Sequence, residues 1–366
     1  MANWRTSAMG RGHLSHIRLP GLDLARFLAF CGMVLVNFGV VASLVADTGP
    51  DSGFGSAPDS SSFTWVQGRA AALFVVLAGL GLGLSAKHRP ASAQVQYRRA
   101  GFLLVLGLLN SILFPADILH FYAFYFALGF LCLPLGWRRL LILIFAVNIG
   151  FLLMVFGFDY EQGWNWETLD YEGFWTPQGM VRHLFFNGWH PIFPWFGFFL
   201  LGMTLAQFDL HNPAMHRRLI WMGGGMLALA MVMSSWLSGQ LVDQPDLAIL
   251  VSTVPIPPTP LYVLAGAGAA CLIIGLSLAG QSYGVFRRIE AIVAPAGRQT
   301  LTLYMAHILL GMPLLITLQP SGLRPETYAA LASLGFILLA LLYAHSWKRK
   351  FSKGPLEMLM RWLDRV

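Results

Sequence analysis

The sequence predicts an all-α, polytopic membrane helical bundle of about ten transmembrane helices with cytoplasmic N- and C-termini. Three observations predict it. The 366 residues are 56% hydrophobic and 11% charged, whereas a soluble domain carries roughly 25% charged residues. Ten apolar runs approach the ~20 residues that a spanning helix needs. The segments between them alternate in charge. These numbers exclude a soluble multi-domain enzyme and a disordered chain. Cys31, Cys132 and Cys271 are odd in number and lie inside apolar runs. They read as small buried hydrophobes, which excludes a secreted disulfide scaffold.

The first run, 24–46, follows a basic segment, but it is too long for a signal peptide and lacks a cleavage site. The second, 66–86, carries Gly79, Gly81 and Gly83, a small-residue packing face. The third and fourth, 100–114 and 117–136, are divided only by the Pro115–Asp117 turn and form a tight hairpin. The fifth covers 140–157. A long loop rich in Trp, Tyr and acidic residues, 158–189, then forms an outside interfacial or re-entrant cap. The remaining runs are 190–207, 219–238, 259–280, 299–318 and 328–346. Residues 1–366 form a single integral membrane domain, with 1–20 a basic cytoplasmic N-terminus and 347–366 a basic cytoplasmic tail. No repeat of fixed period is present, which weighs against a repeat-built transporter.

Orientation follows from the charges. Arg5, Arg11 and Arg18 precede the first run. Lys87, Arg89, Arg98 and Arg99 follow the second, and Arg138 and Arg139 the fourth. Arg217 and Arg218, then Arg287, Arg288 and Arg298, then Lys348, Arg349, Lys350 and Lys353 continue on the same side. The alternate loops hold Asp47, Asp51 and Asp59, then Asp159, Glu161, Glu167, Asp170 and Glu172. The net charge of +7 is therefore a topology signal. It is spread over short loops, so no nucleic-acid partner is expected.

Ionisable groups at membrane depth are costly and mark function. On the inner side Asp23 and Arg26 share a helical face at i, i+3. Arg26 and Arg298 each open an apolar run, where a guanidinium suits a phosphate-rich ligand. The outer group comprises Asn37, Arg69, Asp117, His120 and His190. Asn37 stands about 20 Å up the first span. Asp117 and His120 are spaced so that a carboxylate can orient an imidazole as general base. His190 sits where the sixth span begins. His307 lies roughly 14 Å into the ninth span. For each histidine the plain alternative is an imidazole bonded to a backbone carbonyl. His211 and His216 read as loop polarity. No cluster has metal-ligand spacing, so no metal is expected.

Several of these residues stand in motifs that resemble a known group. Leu22, Asp23, Arg26 and Asn37 resemble the first span of the YeiB-like and heparan-α-glucosaminide N-acetyltransferase-like transmembrane acyltransferase superfamily. Gly68, Arg69, Phe74 and Gly79 resemble its second span. Asp117 to His120 resembles an Asp-Ile-Leu turn, and Gly297, Arg298, Leu301, Thr302 and Tyr304 a Gly-Arg-x-x-Leu-Thr segment. Gly354, Pro355, Glu357 and Arg361 resemble its cytoplasmic tail. The matches run from 18 to 361.

The resemblance implies acyl transfer from cytoplasmic acyl-CoA (acetyl-CoA) as co-substrate to a sugar, glycan or lipid-linked acceptor at the outer side. It places the protein in a bacterial inner (plasma) membrane, with the lipid bilayer as partner and self-association as a homo-oligomer left open. In the heparan enzyme an Asn of this span works with a nearby His; Asn37 matches the Asn, and residues 38–65 contain no His. His120 and His190 are then equal choices for the base, with Asp117 orienting His120, Asn37 or Arg69 facing the oxyanion, and His307 third. Asp23, Arg26 and Arg298 would hold the phosphates of CoA. The alternatives are a small-molecule permease with an intramembrane His/Arg/Asp pathway, or an assembly protein whose polar groups only pack the bundle.

Overall fold

The computed structural model describes residues 19–46, 65–88, 92–166, 168–318 and 322–364. Arg5, Arg11, Arg18, Asp47, Asp51, Asp59, Arg89 and Glu167, which carry part of the charge alternation, lie outside the described residues.

Each of the ten apolar runs is helical. They form α1 (Pro20–Ala46), α2 (Arg69–His88), α3 (Ala93–Ser111), α4 (Leu119–Cys132) and α5 (Trp137–Gly157). A cap follows, with β1 (Trp164–Asn165) paired antiparallel to β2 (Asp170–Tyr171), then α6 (Pro177–Arg182) running into a π-helical turn, His183–Asn187. The second half comprises α7 (Ile192–Leu205), α8 (Pro213–Gln240), α9 (Pro245–Leu250), α10 (Pro260–Gly280), α11 (Gly284–Gly297), α12 (Thr300–Ala306), α13 (Met312–Thr317), α14 (Pro325–Lys348) and α15 (Pro355–Leu363). A π-helical turn, His307–Gly311, joins α12 to α13, so the two form one bent span. Among the described residues seven helices are long and apolar enough to cross a membrane, and α4 and α7 are shorter apolar helices. The chain is an all-α integral membrane protein. Inner and outer denote here the faces on which α1 begins and ends.

Two expectations need correction. The third span is shifted towards its N-terminus: helix starts at Ala93 and stops at Ser111, because Pro115 lacks the N–H that continuation requires. The basic links after spans eight and ten are also not plain loops. Both fold as short amphipathic helices, α11 and α15, which expose Arg287, Arg288 and Arg361 and bury Glu290 and Glu357.

Close backbone approaches set the packing. α2 lies on α7, where a Cβ on Gly79 would come within 2.0 Å of the Phe199 carbonyl oxygen. Gly83 meets Ala206 of the same neighbouring segment, whereas Gly81 turns towards Arg26 of α1. The expected small-residue face is thus formed by two of the three glycines. α10 and α8 approach in the same way through Gly268 and Gly223. α1 occupies the centre, touching α2, α10, α11, α12, α13 and α14. This central position lets residues on α1 meet side chains from both halves of the chain.

Candidate functional site

A cavity of about 290 Å³ opens at the outer end of α1. Asn37 lines it beside an apolar wall of Met33, Val36, Val40 and Val41. The opposite wall brings His190, Trp189 and Trp195, and the cap contributes Thr168 and Leu169. Asn187 holds the cap in shape from its fully buried position. Its amide donates to the carbonyls of Tyr160 (2.7 Å) and Gln162 (2.9 Å), and its Oδ1 accepts from the Tyr171 hydroxyl (2.7 Å). The Arg182 Nε donates to that hydroxyl in turn. From this segment Thr168, Leu169 and Trp189 reach the cavity. Trp195 Nε1, Trp189 Nε1 and His190 Nδ1 are buried and have no hydrogen-bond partner among the described residues. Such nitrogens are costly to bury without a partner.

Asn37 is itself held from behind. Its Nδ2 lies 3.0 Å from His307 Nε2. The other ring nitrogen, Nδ1, donates to the carbonyl of Tyr304 one helical turn back. A carbonyl only accepts, so Nδ1 carries the proton and Nε2 accepts from the Asn37 amide. The π-helical turn beginning at His307 lets the ring stand out of the helix against Phe30 and Phe38 of α1. The sequence reading put Asn37 in an outer group and His307 at mid-depth. The structure corrects that separation: they are direct partners.

Asp117 and His120 are close, as their spacing suggests, with His120 Nδ1 3.4 Å from Asp117 Oδ2. Asp117 is more heavily engaged elsewhere. It accepts from Asn110 Nδ2 (2.7 Å), the Tyr304 hydroxyl (3.1 Å) and the backbone N–H of Leu119 (2.7 Å). It thereby caps the start of α4 and ties α3, α4 and α12 together. His120 lies behind Phe121, stacked near His183, and is not among the residues lining the outer cavity. Arg69 is likewise not among the residues lining that cavity. Its guanidinium donates to the Trp65 carbonyl (3.0 Å) and the Thr253 hydroxyl (3.3 Å), bracing the link between α9 and α10.

At the inner face Asp23 receives both arginines. Arg26 Nη1 lies 3.0 Å from Asp23 Oδ1, and Arg298 Nε lies 3.6 Å from Oδ2. A cavity of about 600 Å³ opens beside them, lined by Asp23, Arg26, Lys87, Gln207, Asp209 and His211. Arg298 is not part of that lining. Its charged lining sets Arg26 and Lys87 against Asp23 and Asp209, with His211 beside them. Along α1, Asp23 and Asn37 are about 21 Å apart by helical rise.

His183 was missed, because it sits in a loop where no motif pointed. It is buried in the cap against Tyr171 and Phe174. Burial lowers its pKa well below the ordinary value, and the neighbouring His120, His190 and Arg182 push the same way. In the sequence Lys87 is an orientation charge and His211 loop polarity, since nothing in a linear sequence reveals that the ends of α2 and α7 share a cavity with Arg26. Among the described residues no group of three or more His, Cys, Asp or Glu has metal-binding geometry.

Two family models match the chain. The catalytic model of heparan-α-glucosaminide N-acetyltransferase matches residues 18–236, more than half of the chain. A model described as a protein of unknown function (DUF418) matches 204–366. Asn37, Asp117, His120 and His190 fall in the first match, and Arg298, Tyr304 and His307 in the second. No curated protein and no solved structure matches.

Proposed function

The chain belongs to the heparan-α-glucosaminide N-acetyltransferase catalytic family, and on that premise we propose that it transfers an acetyl group from cytoplasmic acetyl-CoA to a hydroxyl or amine of a sugar, glycan or lipid-linked acceptor at the outer side of a bacterial inner membrane. The observation that carries the reading is the outer cavity, which Asn37 and His190 both line while His307 holds the Asn37 amide.

The roles follow from the hydrogen bonds available. The imidazole of His190 takes the proton of the acceptor hydroxyl or amine as its oxygen or nitrogen attacks the thioester carbon. The carbonyl oxygen gains negative charge. Asn37 has two amide hydrogens, one committed to His307, so the other serves this oxyanion. The new C–O or C–N bond forms, the C–S bond breaks, and the proton on His190 passes to the departing CoA sulfur. His307 is a positioning residue, acting through Asn37. At the inner face Arg26, with Lys87 and His211, binds the CoA phosphates, and Asp23 aligns Arg26 and Arg298.

The test is release of free CoA thiol from acetyl-CoA in detergent micelles, with hexosamines and neutral sugars offered as acceptors. Acceptor-dependent release by the wild type, lost in His190→Ala, supports the reading. Acceptor-dependent release that persists undiminished in His190→Ala and Asn37→Ala rejects this centre.

A further inference from the structure

No Asp, Glu, Lys or Arg is among the described residues that line the outer cavity. Its polar side chains, Asn37, Gln67, Thr168 and His190, carry no fixed charge. In the sequence, residues 45–64, which follow the α1 wall, contain no lysine or arginine either. Taking an ion from water into such a lining is costly without a partner of opposite charge. An anionic headgroup finds none among these residues.

The apolar part of the lining reaches the surface of the protein. Val36, Val40 and Leu44 line the cavity at four-residue steps, so they share one face of α1 and cover about 12 Å of its length. Leu44 is 40% exposed and Leu113, just beyond α3, is 69% exposed, and both belong to the lining. They therefore stand at its rim. From Leu113 the exposed apolar surface continues along α3, away from the rim, through Leu109 and Val105. On an integral membrane protein such a surface meets lipid chains.

We infer that the acceptor is a neutral, membrane-borne amphiphile with a free hydroxyl: a lipid alcohol or an uncharged glycolipid. The inference deepens the acyl-transfer reading above and rests on it. The headgroup enters at the rim of Leu44 and Leu113, and the chain stays on the exposed face of α3, so the acceptor never leaves the bilayer. An apolar wall with a few polar groups to orient one end of the ligand suits this class. The hydroxyl oxygen forms an ester with the acetyl carbon, the C–S bond breaks, and the hydroxyl proton leaves on the CoA thiol.

The experiment measures release of CoA thiol from acetyl-CoA by the full-length protein in nanodiscs of phosphatidylcholine, a lipid without a free hydroxyl. The acceptors are dodecyl β-glucoside, methyl β-glucoside and dodecyl β-glucuronide, which separate chain from charge. The kcat/KM for dodecyl glucoside is expected to exceed each of the others at least tenfold. Leu113→Asp and Leu44→Asp, which put a carboxylate at the rim, are expected to cut the dodecyl-to-methyl ratio at least fivefold. Leu153 of α5 is 68% exposed and outside the lining. Leu153→Asp is expected to leave the ratio unchanged, which separates the cavity from simple partitioning into the disc. Equal use of dodecyl and methyl glucoside, equal use of the glucuronide, release with glucosamine alone, or one ratio shared by wild type and all three variants overturns the inference and leaves acyl transfer standing. No acceptor-dependent release with any of these compounds overturns both.

Discussion

The side-chain amide of Asn37 donates to Nε2 of His307 across 3.0 Å, joining residues 270 positions apart. The bond unites the two portions of the chain that separate family models recognise. It also fixes the tautomer of His307 and the direction in which Asn37 faces the outer cavity. Interhelical hydrogen bonds within membranes average about 0.6 kcal/mol. Its value is therefore one of aim more than of stability.

His307→Ala removes the aim and leaves the fold. Turnover is expected to fall about 10- to 100-fold with little change in acetyl-CoA affinity. His307→Gln, which keeps an acceptor for the Asn37 amide, should recover part of the loss. Steady-state kinetics that separate kcat from KM for both variants check this; equal, full kcat in the two would remove His307 from the site.

His190 and His120 separate by position. His190→Ala should lower kcat by roughly 10²- to 10⁴-fold, the usual range for loss of a general base. His120→Ala leaves Asp117 with Asn110, Tyr304 and the α4 backbone as partners, so it should cost stability and spare chemistry. Parallel activity and melting measurements decide between them, and the reverse pattern would move the base to His120.

In the proposed donor site Asp23 aligns Arg26, which lies 3.0 Å from it at the inner cavity. Arg26→Ala is expected to weaken acetyl-CoA binding by about 10- to 100-fold, since hydrogen bonds to charged groups contribute roughly 1.5–3 kcal/mol. Isothermal titration in detergent measures it, and unchanged affinity would assign the phosphates elsewhere.

Gly79 is where α2 touches the Phe199 carbonyl. Gly79→Ala should separate α2 from α7 and lower the melting temperature by several degrees. Gly224→Ala, on α8 with open space around it, should not. Matching thermal shifts for the two would contradict the close approach.

The cap should loosen in acid. Folding holds the pKa of His183 below its ordinary 6.5, so the opened cap binds the proton more readily. Its stability is complete above about pH 6.5 and is lost as pH falls from there towards the depressed value. Hydrogen exchange over residues 158–189 should rise across that window, and His183→Phe should flatten the response.

The ten helices were legible because each apolar run is long and is bounded by charges, prolines or glycines. α11 and α15 were not, because an amphipathic segment beside basic residues reads as a loop when its apolar partner is elsewhere in the chain. Within the site, Asp117 with His120 and Asp23 with Arg26 could be read from i, i+3 spacing. The Asn37–His307 pair and the inner cavity shared by Arg26, Lys87 and His211 depend on which helices become neighbours. Arg69 shows the converse: its place in a motif suggested an oxyanion donor, and its hydrogen bonds turn it to Trp65 and Thr253.

The most direct measurement is the melting temperature of the purified protein titrated with acetyl-CoA and, separately, with acetyl-CoA lacking the 3′-phosphate. A ligand that binds only the folded state adds about 2.7 kcal/mol at 100 times its Kd. A donor site built on Arg26 predicts stabilisation by acetyl-CoA that weakens without the 3′-phosphate, and a response lost in Arg26→Ala. No stabilisation by either compound would contradict acyl-CoA as the donor and, with it, the proposed transfer.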